Sequence, residues 1–310
     1  MLRLPTVGMR RSIEKHNIDL NAVCDWIEGN VLFESETVSI EDAVDQLIDT
    51  EVYDEQDFAR ERLVDAWDEL TRRERWMGSG SSINVVGQRV MPHRTWRESP
   101  AHSFCLALAY AKWYPDWATQ FGSNYTTQGD LFEALTKESL EIMFPQWVIH
   151  RTGWTYANMV TINDVVEDVA TRLSEEIGQV EVWTDEKAKE AGLDILCYRS
   201  YEDGRVGAPV YLVQCASGND WKEKLRTPDL KIWKRIVRFV AEPKKAFAMP
   251  FAIDDEEFVR RCNVVDGPLI ERYRLLAAGR EDPDWVSPEL RRKIVQWLEP
   301  RVDQLPRFHP

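Results

Sequence analysis

Two short apolar runs in the second half of the chain each carry a polar side chain that buried strands rarely contain. The runs are LDILCY and PVYLVQCA, and their polar members are Asp194 and Gln214. Side chains alternate between the two faces of a strand, so Gln214 shares a face with Leu212 and Ala216. The spacer between the runs, RSYEDGRVGA, is long enough only for a loop. The sequence therefore predicts an antiparallel pair of strands that brings Asp194 close to Gln214.

The segments around these strands alternate between helical and strand-like patterns. The amphipathic stretch GDLFEALTKESLEIMF precedes them, and a basic helical segment and the apolar strand KAFAMPFAI follow. Helices on either side of a central sheet are typical of an α/β domain. The polar connector SNYTTQG marks a boundary. We therefore expect an acidic, mainly α-helical domain over residues 1–127, with a small hairpin at INVVGQRVM, and an α/β domain over residues 128–310.

Charge is distributed unevenly along the chain, whose formal net charge is −14. Residues 12–70 contain 18 acidic and three basic side chains, whereas residues 221–245 contain nine basic and three acidic ones. Local fields steer charged ligands, so the basic window is a candidate surface for nucleic acid. Its candidate contacts are Lys224, Arg226, Lys231, Lys234 and Arg235. Trp221 and Trp233, which lie among them, would either stack on bases or pack in the core.

Several classes of protein are not expected from this sequence. The chain of 310 residues has no apolar run of about 18 residues, which predicts no membrane-spanning helix. Its N-terminus lacks the long apolar core of a secretory signal. Its five cysteines are widely spaced and match neither a zinc site nor a disulfide framework. We expect a cytoplasmic protein, whose acidic N-terminal helices carry no catalytic pattern and are a candidate surface for a protein partner.

The order of three polar residues resembles the PD-(D/E)xK superfamily, the restriction-endonuclease-like nucleases. The resemblance rests on Glu133 in GDLFEALTKESL, Asp194 in AGLDILCY and Gln214 in YLVQCAS, and it spans roughly residues 129–253. Glutamine in place of the second acid occurs in Mrr-like branches of that superfamily. The resemblance implies a mixed sheet flanked by helices and Mg²⁺- or Mn²⁺-dependent hydrolysis of nucleic acid, with DNA as the expected substrate. It also implies a role in restriction or antiphage defence.

The resemblance assigns roles to individual residues. Asp194 would be the main carboxylate ligand of the metal, with the Gln214 side-chain oxygen and the Cys215 carbonyl as further ligands, since Mg²⁺ prefers oxygen. Glu133 would bind through water or orient a ligand. Taken singly, these residues have simpler explanations. Gln214 would be a hydrogen-bonded core amide, and Glu133 would form a surface ion pair with Lys137 one helical turn away.

At one position the chain departs from the superfamily. A lysine normally follows the second acid by two residues, and this chain has Ala216 there. Three alternatives are open. Lys222, our first choice, or Lys137 fills the space; Ser217 or Asn219 stands in; or catalysis is lost. In the last case the protein would be an inactive nuclease-fold protein that binds nucleic acid or a protein partner.

Overall fold

The computed structural model describes residues 1–10, 17–152, 161–183 and 190–308. In these ranges the chain forms twelve α-helices and ten short strands. The helices are α1 (Leu20–Phe33), α2 (Ile40–Asp49), α3 (Gln56–Met77), α4 (Pro100–Trp113), α5 (Pro115–Thr119), α6 (Thr126–Met143), α7 (Ile162–Leu173), α8 (Val180–Trp183), α9 (Leu230–Ile236), α10 (Asp255–Val265), α11 (Arg272–Leu276) and α12 (Pro288–Asp303). The strands are β1 (Val38–Ser39), β2 (Ile83–Val86), β3 (Arg89–Pro92), β4 (Val148–Arg151), β5 (Glu176–Ile177), β6 (Ile195–Tyr198), β7 (Val210–Cys215), β8 (Val237–Arg238), β9 (Lys244–Ala248) and β10 (Leu269–Ile270). None of the helices in these ranges has both the length and the apolar character needed to cross a membrane.

Backbone contacts divide the chain into two compact units. The first unit comprises residues 1–124, 250–253 and 272–310, and the second comprises residues 125–249 and 254–271. The division after Asn124 falls inside the connector SNYTTQG, three residues before the boundary expected from the sequence. The C-terminal residues, which we had expected in the α/β domain, cluster with the first unit instead.

The first unit is mainly helical, with one small antiparallel sheet in the order β1-β3-β2. Helices α1 and α2 begin where the sequence supplies caps. The Asp19 carboxylate accepts hydrogen bonds from the first backbone N–H groups of α1, and Ser39 and Asp42 form a capping box at α2. The predicted hairpin is confirmed: β2 and β3 pair antiparallel across a two-residue turn in which Gly87 has a φ of +56°.

A network of buried charges lies in the core of the first unit. Asp25, Glu28, Arg73 and Arg272 are each at most 1% exposed. Arg73 Nη1 lies 3.1 Å from both Asp25 Oδ1 and Glu28 Oε1. Arg272 Nη1 lies 2.7 Å from Asp25 Oδ1. A charge removed from water is costly unless it is paired and hydrogen-bonded, so each of these four groups depends on the others.

Glu28 makes further contacts within this network. It accepts a hydrogen bond from Tyr273 Oη at 3.0 Å, and its Oε2 lies 3.0 Å from His102 Nε2. Burial alone would raise the pKa of Glu28. The charges of Arg73 and Arg272 and the contact with His102 outweigh burial and hold the pKa well below its ordinary value. The acidic helices therefore direct part of their charge inward, which the acidic composition alone does not indicate.

We expect Arg272→Met to destabilise the first unit strongly, because it leaves the buried Asp25 carboxylate short of a partner. Breaking a buried ion pair from one side typically costs about 3–5 kcal/mol. Urea unfolding followed by circular dichroism would measure the loss. Arg60→Met is the matched control, since Arg60 pairs with Glu41 at the exposed surface, and its effect should be small. Equal stability of the two variants would contradict the assigned importance of the network.

The lowered pKa of Glu28 also predicts acid sensitivity. Because the folded pKa lies below the unfolded one, the contacts of Glu28 stabilise fully above the unfolded value, and this contribution is lost as pH falls through the range between the two. The free energy of unfolding should thus fall as pH is lowered from about 6 to about 3. Glu28→Gln should be less stable than the wild type at neutral pH, and its free energy of unfolding should fall less between about pH 6 and about pH 3. The exposed Glu61→Gln should follow the wild type.

The second unit is built on a mixed five-stranded sheet in the order β10-β9-β7-β6-β4. Strands β4, β6 and β7 are successively antiparallel, and β9 runs parallel to β7. The predicted antiparallel pairing of the two apolar runs is confirmed, with Leu196 opposite Leu212. Leu212 packs in a cluster with Val166 of α7 and Trp233 of α9, while α6 packs against β4 and β7. The protein is therefore a mixed α/β protein, as predicted.

Candidate functional site

Asp194 and Gln214 are in direct contact at adjacent positions of the sheet. Asp194 immediately precedes β6, and Gln214 is the penultimate residue of β7. Gln214 Nε2 donates a hydrogen bond to Asp194 Oδ2, and the Cys215 N–H donates to the same oxygen at 2.6 Å. The two side chains are only 5% and 8% exposed. A carboxylate that is so withdrawn from water needs donors of this kind.

The amide of Gln214 lies among oxygen atoms. Its nitrogen donates to Asp194 and also to the Cys215 carbonyl oxygen at 3.1 Å. Its oxygen lies 2.9 Å from Thr227 Oγ1, which in turn lies 2.7 Å from the carbonyl oxygen of Lys224. A threonine hydroxyl has one proton, so it cannot serve both of these acceptors at once. The Gln214 amide nitrogen thus lies between Asp194 Oδ2 and the Cys215 carbonyl oxygen. The Gln214 amide oxygen competes with the Lys224 carbonyl oxygen for the one proton of the Thr227 hydroxyl.

The backbone can approach Gln214 closely because residue 192 is glycine. Gly192 has a φ of +71°, in the left-handed region that other residues rarely adopt. A Cβ atom there would lie 2.7 Å from Thr227 Cβ and 3.0 Å from Gln214 Oε1. The glycine of AGLDILCY therefore permits the contact between the segment before β6 and the loop that contains Thr227.

A buried arginine at the end of β4 pairs with two carboxylates of α6. Arg151 Nη2 lies 2.6 Å from Asp130 Oδ1 and 3.0 Å from Glu133 Oε2. The two acids are three residues apart and therefore share one face of the helix. Arg151 is 4% exposed. The next residue, Thr152, donates its N–H to the Asp194 carbonyl oxygen at 2.9 Å, which connects Arg151 to the Asp194 segment.

The Cys215 thiol lies within the fields of the same charged groups. Burial raises its pKa well above the ordinary value; the charges of Asp194 and Glu133 raise it further, and Arg151 lowers it. Burial also raises the pKa of Glu133, against the opposing charge and hydrogen bond of Arg151. The thiol is therefore protonated and unsuited to act as a nucleophile. Because Asp194, Glu133 and Arg151 all act on this thiol, the three charged groups lie in its neighbourhood.

The two lysines considered as replacements for the lysine absent at position 216 form ion pairs with glutamates. Lys222 Nζ lies 3.0 Å from Glu257 Oε1, and Lys137 Nζ lies 2.5 Å from Glu141 Oε1. Ala216 itself is buried. The structure thus brings Asp194, Gln214 and Cys215 together and Glu133 near them, while both lysines point to carboxylates of α10 and α6.

Metal-binding clusters of the common type are absent from the described ranges, where no three His, Cys, Asp or Glu side chains are grouped to hold an ion. The ligand set that the resemblance implies is of another kind, with one carboxylate, one amide oxygen and one backbone carbonyl. All three are hard oxygen donors of the type that Mg²⁺ and Mn²⁺ accept. Asp194, Gln214 and Cys215 supply these groups.

The basic window is exposed, but part of its charge is neutralised. Lys224 pairs with Asp220 at 3.3 Å and Lys234 with Glu242 at 2.8 Å. Three further basic side chains are exposed and have no ion-pair partner among the described residues. They are Arg226, Lys231 and Arg235. The window therefore retains free positive charge that phosphates can use.

Trp221 and Trp233 pack in the core rather than on the surface. They are 7% and 0% exposed, and Trp233 Nε1 donates to the Ala191 carbonyl oxygen at 3.2 Å. Of the two alternatives for these residues, core packing is the one that the structure shows. Base stacking by these two rings is not expected, because both side chains are buried.

Sequence reasoning missed Arg151, Asp130 and Thr227. Arg151 carries no local signal, since its partners lie on α6, 18 and 21 residues earlier. Thr227 lies 13 residues after Gln214, in a loop without a recognisable motif. The spacing of Asp130 and Glu133 on one helical face was the one signal that could have indicated a shared cationic partner.

Comparisons with protein-family models, with curated proteins and with solved structures found no match to this chain.

We expect Arg151→Gln to make stability more dependent on pH. Removing the opposing cation should raise the pKa of Glu133 further. A carboxyl whose folded pKa exceeds the unfolded one stabilises below the unfolded pKa, and this stability is lost as pH rises through the folded pKa. The variant should therefore lose more stability at about pH 8 than at about pH 5, as measured by urea unfolding. Adding Glu133→Gln should remove the extra pH dependence, and the exposed Arg199→Gln should show none.

Proposed function

We propose that the protein is a metal-dependent nuclease of the restriction-endonuclease-like type that hydrolyses phosphodiester bonds of nucleic acid, with DNA as the expected substrate. One observation carries this proposal. The Gln214 amide nitrogen lies between Asp194 Oδ2 and the Cys215 carbonyl oxygen, 3.1 Å from the latter. These are two of the oxygens that the resemblance implies as metal ligands, and the amide provides the third.

The three residues fit a hard divalent cation. In the present arrangement a partly positive NH₂ group bridges the two oxygens, which is the position a cation would compete for. Exchange of the amide nitrogen and oxygen by rotation would add Gln214 Oε1 to the ligand set. Its nitrogen would then donate to Thr227 Oγ1, whose proton would serve only the Lys224 carbonyl. A bound Mg²⁺ or Mn²⁺ would neutralise charge at the phosphate and lower the pKa of a bound water.

The protein groups around Asp194 are suited to the proton movements of hydrolysis. The reaction forms a P–O bond from water and breaks one ester P–O bond, so the water gives up a proton and the leaving oxygen gains one. Glu133 has a raised pKa, caused first by burial, so its carboxyl keeps a proton to higher pH than an ordinary glutamate and can take part in proton exchange. Arg151 holds the Glu133 Oε2 atom at 3.0 Å and so orients the carboxyl.

The architecture of the second unit supports the proposed fold. Helix α6 precedes three antiparallel strands, and α9 precedes a strand parallel to the third. The result is a mixed sheet with helices packed on it, as the resemblance implies. A role in restriction or antiphage defence is part of the proposal through this resemblance.

An inactive nuclease-fold protein is the second candidate, and a specific observation favours it. Ala216 cannot supply a cation, and the two lysines considered in its place pair with Glu257 and Glu141. Such a protein would retain the exposed basic window for binding nucleic acid, or use its acidic helices to bind a protein partner.

The decisive comparison is between wild type, Asp194→Asn and Asp203→Asn. Asp203 is an exposed acid in the loop between β6 and β7 and is the matched control. With Mg²⁺ or Mn²⁺, wild type and Asp203→Asn should cleave DNA. Asp194→Asn should be at least about 100-fold slower, since even the loss of a residue that only orients a metal ligand typically costs about 10–100-fold. Cleavage of duplex DNA, single-stranded DNA and RNA is followed on gels, with EDTA as the blank.

Calorimetric titration of Mn²⁺ into the metal-free protein provides a second readout. Wild type should bind Mn²⁺, and Asp194→Asn should bind it much more weakly, with circular dichroism confirming that the variant is still folded. Folded wild-type protein that neither cleaves any substrate nor binds Mn²⁺ would favour the second candidate.

A further inference from the structure

The loop after β7 is anchored to the site at two points. Thr227 Oγ1 lies 2.9 Å from Gln214 Oε1. Two residues earlier, the carbonyl oxygen of Leu225 accepts a hydrogen bond from Lys245 Nζ at 3.4 Å, and Leu225 is 1% exposed. Arg226 lies between these anchored residues, so its backbone position is fixed relative to Gln214.

Lys245 shows which side of the sheet Arg226 lies on. In the parallel register, Lys245 is opposite Leu212 and Phe247 is opposite Gln214, so the four side chains share a face. The pKa of Lys245 is lowered, first by burial and also by the positive charge of Arg226. The residues on either side of Arg226 are bonded to two side chains of this face, Lys245 and Gln214, so the loop that carries Arg226 lies over the face of the sheet that carries Gln214.

The other cations near the site are already paired or buried. Arg151 bridges two carboxylates, and Lys222 and Lys137 each pair with a glutamate. Lys245 is buried and donates to the Leu225 carbonyl oxygen. Arg226 differs from all four, because it is exposed and has no ion-pair partner among the described residues. It is thus the cation of this group that can meet an incoming anion without breaking an existing pair.

We propose that Arg226 contacts the scissile phosphate and supplies the positive charge that Ala216 cannot. This inference rests on the proposed nuclease function. A guanidinium binds phosphate oxygens through two parallel hydrogen bonds and stays charged at all relevant pH values. Placed beside Gln214, it stabilises the charge that grows on the phosphate oxygens during hydrolysis. Lys222, in this arrangement, remains with Glu257.

The test measures binding and cleavage separately. Binding of a fluorescent DNA duplex is measured by anisotropy in EDTA, so that it does not depend on hydrolysis. The variants are Arg226→Ala, Arg226→Lys and the control Lys244→Ala. Lys244 is an exposed cation at the start of β9, opposite Tyr211 and thus away from Gln214 in the register. Thermal unfolding confirms that each variant is folded.

Arg226→Ala should weaken binding several-fold and reduce the slope of log K against log salt by about one, as expected for one lost phosphate contact. Its kcat should fall by about 100-fold, the scale for losing one donor to a developing oxyanion. Arg226→Lys should restore part of both. Lys244→Ala should match the wild type in kcat.

The outcomes distinguish this inference from the proposed function. Cleavage and binding by Arg226→Ala at the level of Lys244→Ala would overturn the phosphate contact while leaving the nuclease proposal intact. A wild-type protein that cleaves but whose Arg226→Ala variant loses only binding would overturn the role in stabilising the reacting phosphate. A wild-type protein that neither binds nor cleaves nucleic acid would overturn both.

Discussion

Asp194 links three strands of the second unit through its buried carboxylate and its backbone carbonyl. Its Oδ2 accepts hydrogen bonds from the Gln214 side chain and the Cys215 backbone, and its own carbonyl accepts one from Thr152. A carboxylate at 5% exposure is stable only with such donors. One residue therefore links β4, β6 and β7 at this end of the sheet, and the polar groups that bond its carboxylate, Gln214 and Cys215, are those that could join it in holding a ligand.

Buried polar and charged groups have their partners more completely satisfied in the core network of the first unit than around Gln214 in the second. In the first unit, two arginines and their acids are enclosed together, so that every charge has partners and little is left for a ligand. In the second unit a buried polar group is incompletely satisfied, since the Gln214 side-chain oxygen shares the Thr227 proton with the Lys224 carbonyl oxygen. A saturated network stabilises a fold, whereas an unsaturated one can exchange partners with a ligand.

The contact of Asp194 with Gln214 could be predicted because it follows from period-two alternation and a short connecting loop. The α/β class followed from the order of amphipathic and apolar segments. The pairing of Arg151 with Asp130 and Glu133 could not be predicted, because it depends on how α6 lies across the sheet. The assignment of residues 272–310 to the first unit could not be predicted from the sequence either. It depends on tertiary contacts such as that of Arg272 with Asp25, 247 residues apart. Local patterns specify elements and neighbouring strands, but long-range ion pairs are set by packing.

The separation of 247 residues between Asp25 and Arg272 has a consequence for synthesis on the ribosome. Residues 125–249 of the second unit emerge from the exit tunnel before Arg272 does, whereas Asp25 and Glu28 are made early and must wait for their partner. Chains of this size fold in stages as they are synthesised. The helix that carries these acids cannot complete its buried ion pairs until Arg272 has been translated. Until then the acidic segment that contains Asp25 and Glu28 lacks its Arg272 partner, and repulsion among its like charges disfavours a compact state.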